Sequence, residues 1–157
     1  MQPRLDYHKL SPGGYRAMLG LETYLNHSSV EKKLLDLIRL RVSQMNGCAY
    51  CLDMHWKDLQ VEGETEQRMY SLDAWREAPY YTERERAALA WAEAVTNVTD
   101  GHVPEELFED GRQHFSEQEL ADLTLAVVAI NGWNRLSIAF RTVPGTYQPP
   151  QKVKIGA

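Results

Sequence analysis

The stretch Leu34-Leu35-Asp36-Leu37-Ile38-Arg39-Leu40-Arg41-Val42-Ser43-Gln44-Met45-Asn46-Gly47-Cys48-Ala49-Tyr50-Cys51-Leu52-Asp53-Met54-His55 decides the fold. In its first half Leu34, Leu37, Ile38, Val42 and Met45 follow at spacings of 3, 1, 4 and 3, a single apolar stripe along a helix. Asn46-Gly47 suits a left-handed C-terminal cap, so this helix should stop there. A second helix restarts at about Cys48 and runs to Gln60, before Gly63.

Helix signals recur on both sides. Ser28-Ser29-Val30-Glu31, Thr82-Glu83-Arg84-Glu85 and Ser116-Glu117-Gln118-Glu119 all have the form of a capping box, in which a hydroxyl accepts from the N3 amide and the glutamate reaches back to the cap amide. A helix over Gly14–Asn26, one from Thr65 to Trp75, one over Glu83–Thr96 and a short one from Pro104 to His114 complete the middle of the chain. The last box launches a long apolar segment, Leu120–Phe140, with an interruption expected at Asn131-Gly132. That pair echoes Asn46-Gly47 and suggests a duplicated helical hairpin, though the second copy has Trp133 and Arg135 where the first has cysteines. No stretch alternates over five or more residues, and no hairpin turn joins two β-rich runs. The expectation is an all-α chain of about six to seven helices, a single domain over residues 1–157, with its chemistry at about 30–60.

Composition bounds the function. Lys and Arg number 17 against 22 Asp and Glu, a net charge of −5, and 43% of the 157 residues are hydrophobic. These are the proportions of a globular protein with a real core. The acidic balance argues against nucleic acid or an anionic membrane as partner, because both are bound through clustered Lys and Arg. The longest apolar run, Leu125–Ile130, is far below the roughly 18 residues of a spanning helix. Met1-Gln2-Pro3-Arg4-Leu5-Asp6 has no apolar signal core, so a cytoplasmic location is expected.

Two cysteines are the whole supply, three residues apart, and His55 follows one turn after the second. At i, i+3 and i+7 the three share one helix face. The first turn of a helix, with its unpaired amides and dipole, favours negative sulfur. A histidine can take a thiol proton and then stabilise the thiolate. A thiolate attacks a peroxide oxygen, becomes a sulfenic acid and is captured by a neighbouring thiol as a disulfide. Spacing leaves the order open: the helix start favours Cys48 as the more acidic thiol, whereas His55 at i+4 favours Cys51. The rival readings are a redox sensor or adaptor without turnover, a zinc-stabilised helical module using two thiolates and one imidazole, and a merely structural pair of thiols. Of the remaining candidates, Arg39 and Arg41 read as surface or subunit-contact charges. Glu83 to Arg86 reads as a solvated helix start, and the four tryptophans as core or interface anchors. Met45 and Met54 read as the wall of an apolar pocket.

The quoted stretch resembles the core of the alkylhydroperoxidase D family, within the wider carboxymuconolactone decarboxylase-like superfamily. The likeness is densest at about 30–60, with C-x-x-C-x-x-x-H as its redox signature. Asn131-Gly132-Trp133-Asn134-Arg135 and Val143-Pro144-Gly145 also resemble single-core members. The resemblance implies helical oligomers, often trimers or hexamers, and thiol-dependent reduction of a hydroperoxide substrate. It makes Cys51 the peroxidatic thiol, activated by His55, and Cys48 the resolving one, reopened by a thiol or disulfide electron donor. No flavin, haem or required metal is implied. The family's relay also uses a glutamate twelve residues before the first cysteine, where this chain has Asp36, one methylene shorter. Some members carry a second histidine where this chain has Tyr50, whose phenol is a poor base at neutral pH. Asp36 also reads as a solvated helix-face acid, and Tyr50 as packing.

Overall fold

In the computed structural model, which describes residues 2–150, the elements follow as α1 (Tyr7–Leu10), α2 (Pro12–Leu25), α3 (Lys32–Asn46), α4 (Ala49–Val61), α5 (Glu66–Tyr70), a 3-10 turn at Leu72–Ala74, α6 (Glu83–Thr96), α7 (Glu105–His114) and α8 (Glu117–Phe140). All the regular structure among the described residues is helical, as the patterning predicts, and the four-residue α1 takes the number of α-helices to eight.

Around α3 the others are arranged. Every residue from Leu34 to Leu40 is buried, because α4, α6 and α8 all pack against this one helix. A single apolar stripe underdescribes such a helix. Its remaining faces are buried too, and they carry Asp36, Arg39 and Ser43 into the interior. Leu35, Leu37, Ile38, Leu59, Leu89, Leu123 and Ile130 form the centre of the core. Burying each such side chain contributes about 1.5–3 kcal/mol.

Two of the three capping boxes form. Thr82 with Glu85 and Ser116 with Glu119 make both reciprocal bonds at the starts of α6 and α8. The third does not. Glu31, not Ser28, is the N-cap of α3, and Ser28 instead donates its hydroxyl to the Leu25 carbonyl at 2.8 Å, closing the end of α2. Nor is Glu83 to Arg86 only a solvated helix start. Arg84 bonds Glu31 and Glu119, and Arg86 donates to the Trp75 and Tyr81 carbonyls, tying down the loop before α6.

The interruption expected at Asn131-Gly132 is absent, and α8 runs unbroken for 24 residues. Asn131 stays helical because its amide donates to the Val127 carbonyl and to Thr96 Oγ1, while its carbonyl accepts from Asn46. Gly132 serves close packing instead of a turn, since a Cβ there would sit 2.9 Å from Met18 Cε of α2. The echo of Asn46-Gly47 is therefore no second hairpin. The seam between α3 and α8 is polar: Asn46 donates to Asn134 Oδ1 at 2.8 Å, and Asn134, fully buried, donates to Ser43 Oγ at 3.1 Å. By length and composition α8 could cross a membrane. Its buried face, with Leu120, Leu123, Val127 and Ile130, makes it a core helix here.

Ser116→Ala removes the cap of the longest helix, and an Ser/Thr N-cap is typically worth about 1 kcal/mol. Urea unfolding should show that loss at an unchanged slope.

Candidate active site

Gly47 ends α3 in the left-handed region, at φ 66°, where a residue with a Cβ is disfavoured. The turn makes Cys48 the N-cap of α4, with its Sγ accepting from the Cys51 amide at 3.4 Å. Cys48 and Cys51 are joined as a disulfide across a Cα separation of 5.3 Å, and both are buried. Only Cys51 of the two lines a cavity of about 330 Å³ between α2, α3, α4 and α8.

His55 lies in the wall of the same cavity, 6% exposed, and neither ring nitrogen has a hydrogen-bond partner. Burial first, then the Arg39 and Lys32 charges, push it down from 6.5 to about 3, with Asp36 acting in the opposite direction. The imidazole is therefore neutral with the disulfide closed. Asp36 is no solvated acid: it is 3% exposed, with Oδ1 accepting from Arg39 at 2.9 Å and Oδ2 from Lys32 at 2.8 Å. It makes no hydrogen bond to His55.

Arg39 overturns its reading as a surface charge. It is 4% exposed, donates to Asp36 and to Glu22 of α2 at 2.6 Å, and faces the cavity. Glu22 in turn accepts from Trp133 Nε1 of α8 at 2.9 Å. Trp133 is thus a wall of the site as well as a packing anchor, and Tyr15 stands edge-on to it with ring centroids 5.8 Å apart. Arg41 lies elsewhere, paired with Glu93 of α6 at 2.7 Å. Tyr50 and Met54 line the cavity, whereas Met45 does not. Burial raises the Tyr50 phenol above its ordinary value, so at neutral pH it stays protonated and has no phenolate to act as a base.

Glu22, Lys32, Asp58 and Tyr147 are site residues that the sequence reading did not single out, and only Asp58, at i+3 from His55 on one helix, left a signal that could have found it. Asp58, on α4, has Oδ2 3.9 Å from His55 Nδ1, and its Oδ1 accepts from the Tyr147 hydroxyl at 2.7 Å. The two cysteines being joined, their sulfurs are not a free thiolate pair. Among the described residues no group of three or more His, Cys, Asp or Glu is placed to hold a metal ion.

The carboxymuconolactone decarboxylase family model matches residues 12–94, which includes the whole α3–α4 hairpin and its cysteines. The chain belongs to that family. It is 45% identical over 139 residues to the uncharacterized protein YdfG of Bacillus subtilis, covering 88% of this chain and 95% of YdfG. A crystal structure from Agrobacterium tumefaciens, of a protein of unknown function named as a candidate AhpD antioxidant defence protein, superposes with a TM-score of 0.89. It is 42% identical, covering 93% of this chain and 100% of that one. An uncharacterized peroxidase-related protein from Ralstonia eutropha with an alkylhydroperoxidase AhpD core shares the fold at a TM-score of 0.78 and 22% identity, over 88% of this chain and 74% of that one. Within the family the chain is AhpD-like, in agreement with the resemblance read from its motif.

The buried neutral His55 carries a pH signature. Unfolding returns it to about 6.5, so between 6.5 and about 3 the unfolded chain binds the extra proton. Its stability contribution is whole above 6.5 and falls as pH drops through that window, by up to about 1.4 kcal/mol per unit. Urea titrations of the oxidised protein at pH 7, 6 and 5 should show the decline, and His55→Gln should flatten it.

Proposed function

We propose that this AhpD-like protein is a thiol-dependent hydroperoxide reductase that cycles through the Cys48–Cys51 disulfide. The observation that carries the reading is that the two cysteines are close enough to be joined, while only Cys51 borders the cavity that also holds His55. A substrate in that cavity meets one sulfur, and the other waits behind it.

In the proposed cycle His55 takes the Cys51 proton, and the thiolate attacks the outer oxygen of a hydroperoxide. The O–O bond breaks, Cys51 becomes the sulfenic acid, and the leaving alkoxide takes the proton from His55 and departs as an alcohol. Cys48 then attacks the sulfenic sulfur. Water leaves, and the disulfide closes. Two electrons from an external dithiol, a small molecule or a protein, reopen it. Cys48 at the N-cap has the helix start to stabilise it as the leaving thiolate. The cycle needs no flavin or haem. A helix-mediated homo-oligomer, trimer or hexamer, belongs to the proposal as the family resemblance implies it.

The test is stoichiometric. Reduced protein should lose about two thiols for each hydroperoxide consumed, and with a dithiol reductant it should turn over repeatedly. Cys51→Ser should reduce consumption to the background of free thiol. Cys48→Ser should give a single oxidation, trapped as a sulfenic acid by dimedone. Wild-type turnover by Cys51→Ser would end the proposal, and one oxidation without turnover would leave a redox sensor instead.

A further inference from the structure

His55 is a buried base with no hydrogen bond at either ring nitrogen. Without such a bond nothing selects which nitrogen carries the proton and which faces a given sulfur. Asp36 does not supply the bond in this structure: its oxygens accept from Lys32 and Arg39, and neither reaches a ring nitrogen. Glu22, across the cavity on α2, is taken by Arg39 and Trp133. One carboxylate remains against the ring. Asp58 is three residues beyond His55 on α4, so the two share a helix face, and Oδ2 is 3.9 Å from Nδ1.

Asp58 is itself held from outside the helix. Its Oδ1 accepts from the hydroxyl of Tyr147, which lies in the irregular segment after α8. Two further bonds fix that segment to α4: Lys57 Nζ donates to the Tyr147 carbonyl, and the Gly145 amide donates to Asp53, both at 3.0 Å. A tyrosine 89 residues away in sequence thus sets which way one carboxylate points.

We infer that Asp58, oriented by Tyr147, is the positioning residue for His55, accepting the Nδ1 proton so that Nε2 is the nitrogen that receives the proton of Cys51. The inference rests on the reading of Cys51 as a nucleophile activated by His55. The proton balance is simple. The Cys51 S–H bond breaks and its proton moves to Nε2, Nδ1–H stays donated to Asp58, and the Nε2 proton later passes to the leaving alkoxide. Asp58 takes up no proton in the cycle. Closing 3.9 Å to hydrogen-bond length needs a movement of about 1 Å. The other charged groups divide: Lys32 and Arg39 of α3 oppose an imidazolium, and Asp36 favours one. His8 of α1 and the phenol of Tyr50 border the same cavity without a bond to the ring.

The experiment is the pH dependence of Cys51 alkylation by iodoacetamide in the reduced full-length protein, read at that residue by peptide mass spectrometry, for wild type, Asp58→Asn and Tyr147→Phe. Simple removal of a negative charge would make the nearby thiol more acidic and move its inflection down. Loss of the positioning bond weakens the imidazolium that stabilises the thiolate and moves it up. We expect Asp58→Asn to move the inflection up by about one unit, which is about tenfold slower alkylation near neutral pH. Tyr147→Phe should give a smaller upward shift. An unchanged or lowered inflection in Asp58→Asn overturns the inference. If circular dichroism shows that variant unfolded, Tyr147→Phe decides, and an unchanged inflection there overturns it equally. Hydroperoxide consumption is measured in parallel. Upward shifts in a protein that consumes none would sustain the role of Asp58 while refuting the peroxidase reading.

Discussion

The left-handed turn at Gly47 is the constraint on which the site depends. By reversing the chain within one residue, it lays α4 back along α3 and makes Cys48 the N-cap of the new helix. Three consequences follow from that placement. The sulfur of Cys48 occupies the N-cap position, where it accepts from the Cys51 amide. Cys51 falls within the first turn, close enough for its sulfur to join its mate. His55 falls one turn later, on the face packed against the charged residues of α3. A residue with a Cβ at position 47 would be strained in this conformation, and a more open turn would separate the sulfurs from the helix start.

The second organising element is a buried charge. Arg39 lies in the middle of the most enclosed helix of the protein, at a depth where an unpaired guanidinium could not stay. Removing one partner of such a pair typically costs about 3–5 kcal/mol. Asp36 from its own helix and Glu22 from α2 neutralise it, and Glu22 also accepts from Trp133 of α8. The network therefore does more than satisfy one cation. It ties α2 and α8 together at the cavity, whose lining includes Tyr15 and Trp133 from these helices as well as Cys51. It also engages Asp36, the carboxylate that favours an imidazolium, while burial first and the Arg39 and Lys32 charges keep the His55 ring neutral.

What the sequence made legible follows from how local each feature is. Cys48, Cys51 and His55 share one helix, so their spacing alone brought them together, as it did the capping boxes of α6 and α8. The helix–glycine–helix reading of residues 34–60 is local in the same sense. Gly132 shows the limit: the same Asn-Gly pair that ends α3 lies inside α8, because Asn131 finds partners on α3 and α6 and Gly132 admits Met18. Asp36 and Arg39 could not be ranked from sequence, since their burial is decided by three helices packed on α3 from different directions. Glu22 and Tyr147 were beyond reach, because they meet the site through partners 111 and 89 residues away, whereas Asp58, one helical turn from His55, left a local signal in its spacing.

The histidine and the disulfide also explain each other. With the sulfurs joined, Cys51 carries no charge for an imidazolium to answer, and burial first, then the Arg39 and Lys32 charges, leave the ring neutral despite the nearby carboxylates. Opening the disulfide in the proposed cycle changes that balance, because a Cys51 thiolate would put a negative charge beside the buried ring, where opposite charges attract more strongly than in water. The ring then gains a reason to hold a proton that it lacked before. In the proposed cycle, reduction and proton uptake would be coupled through one buried base, and the proton stored there would be the one the departing alkoxide needs. A more exposed histidine would titrate with the solvent and lose that coupling, which gives the burial of His55 a chemical purpose beyond packing.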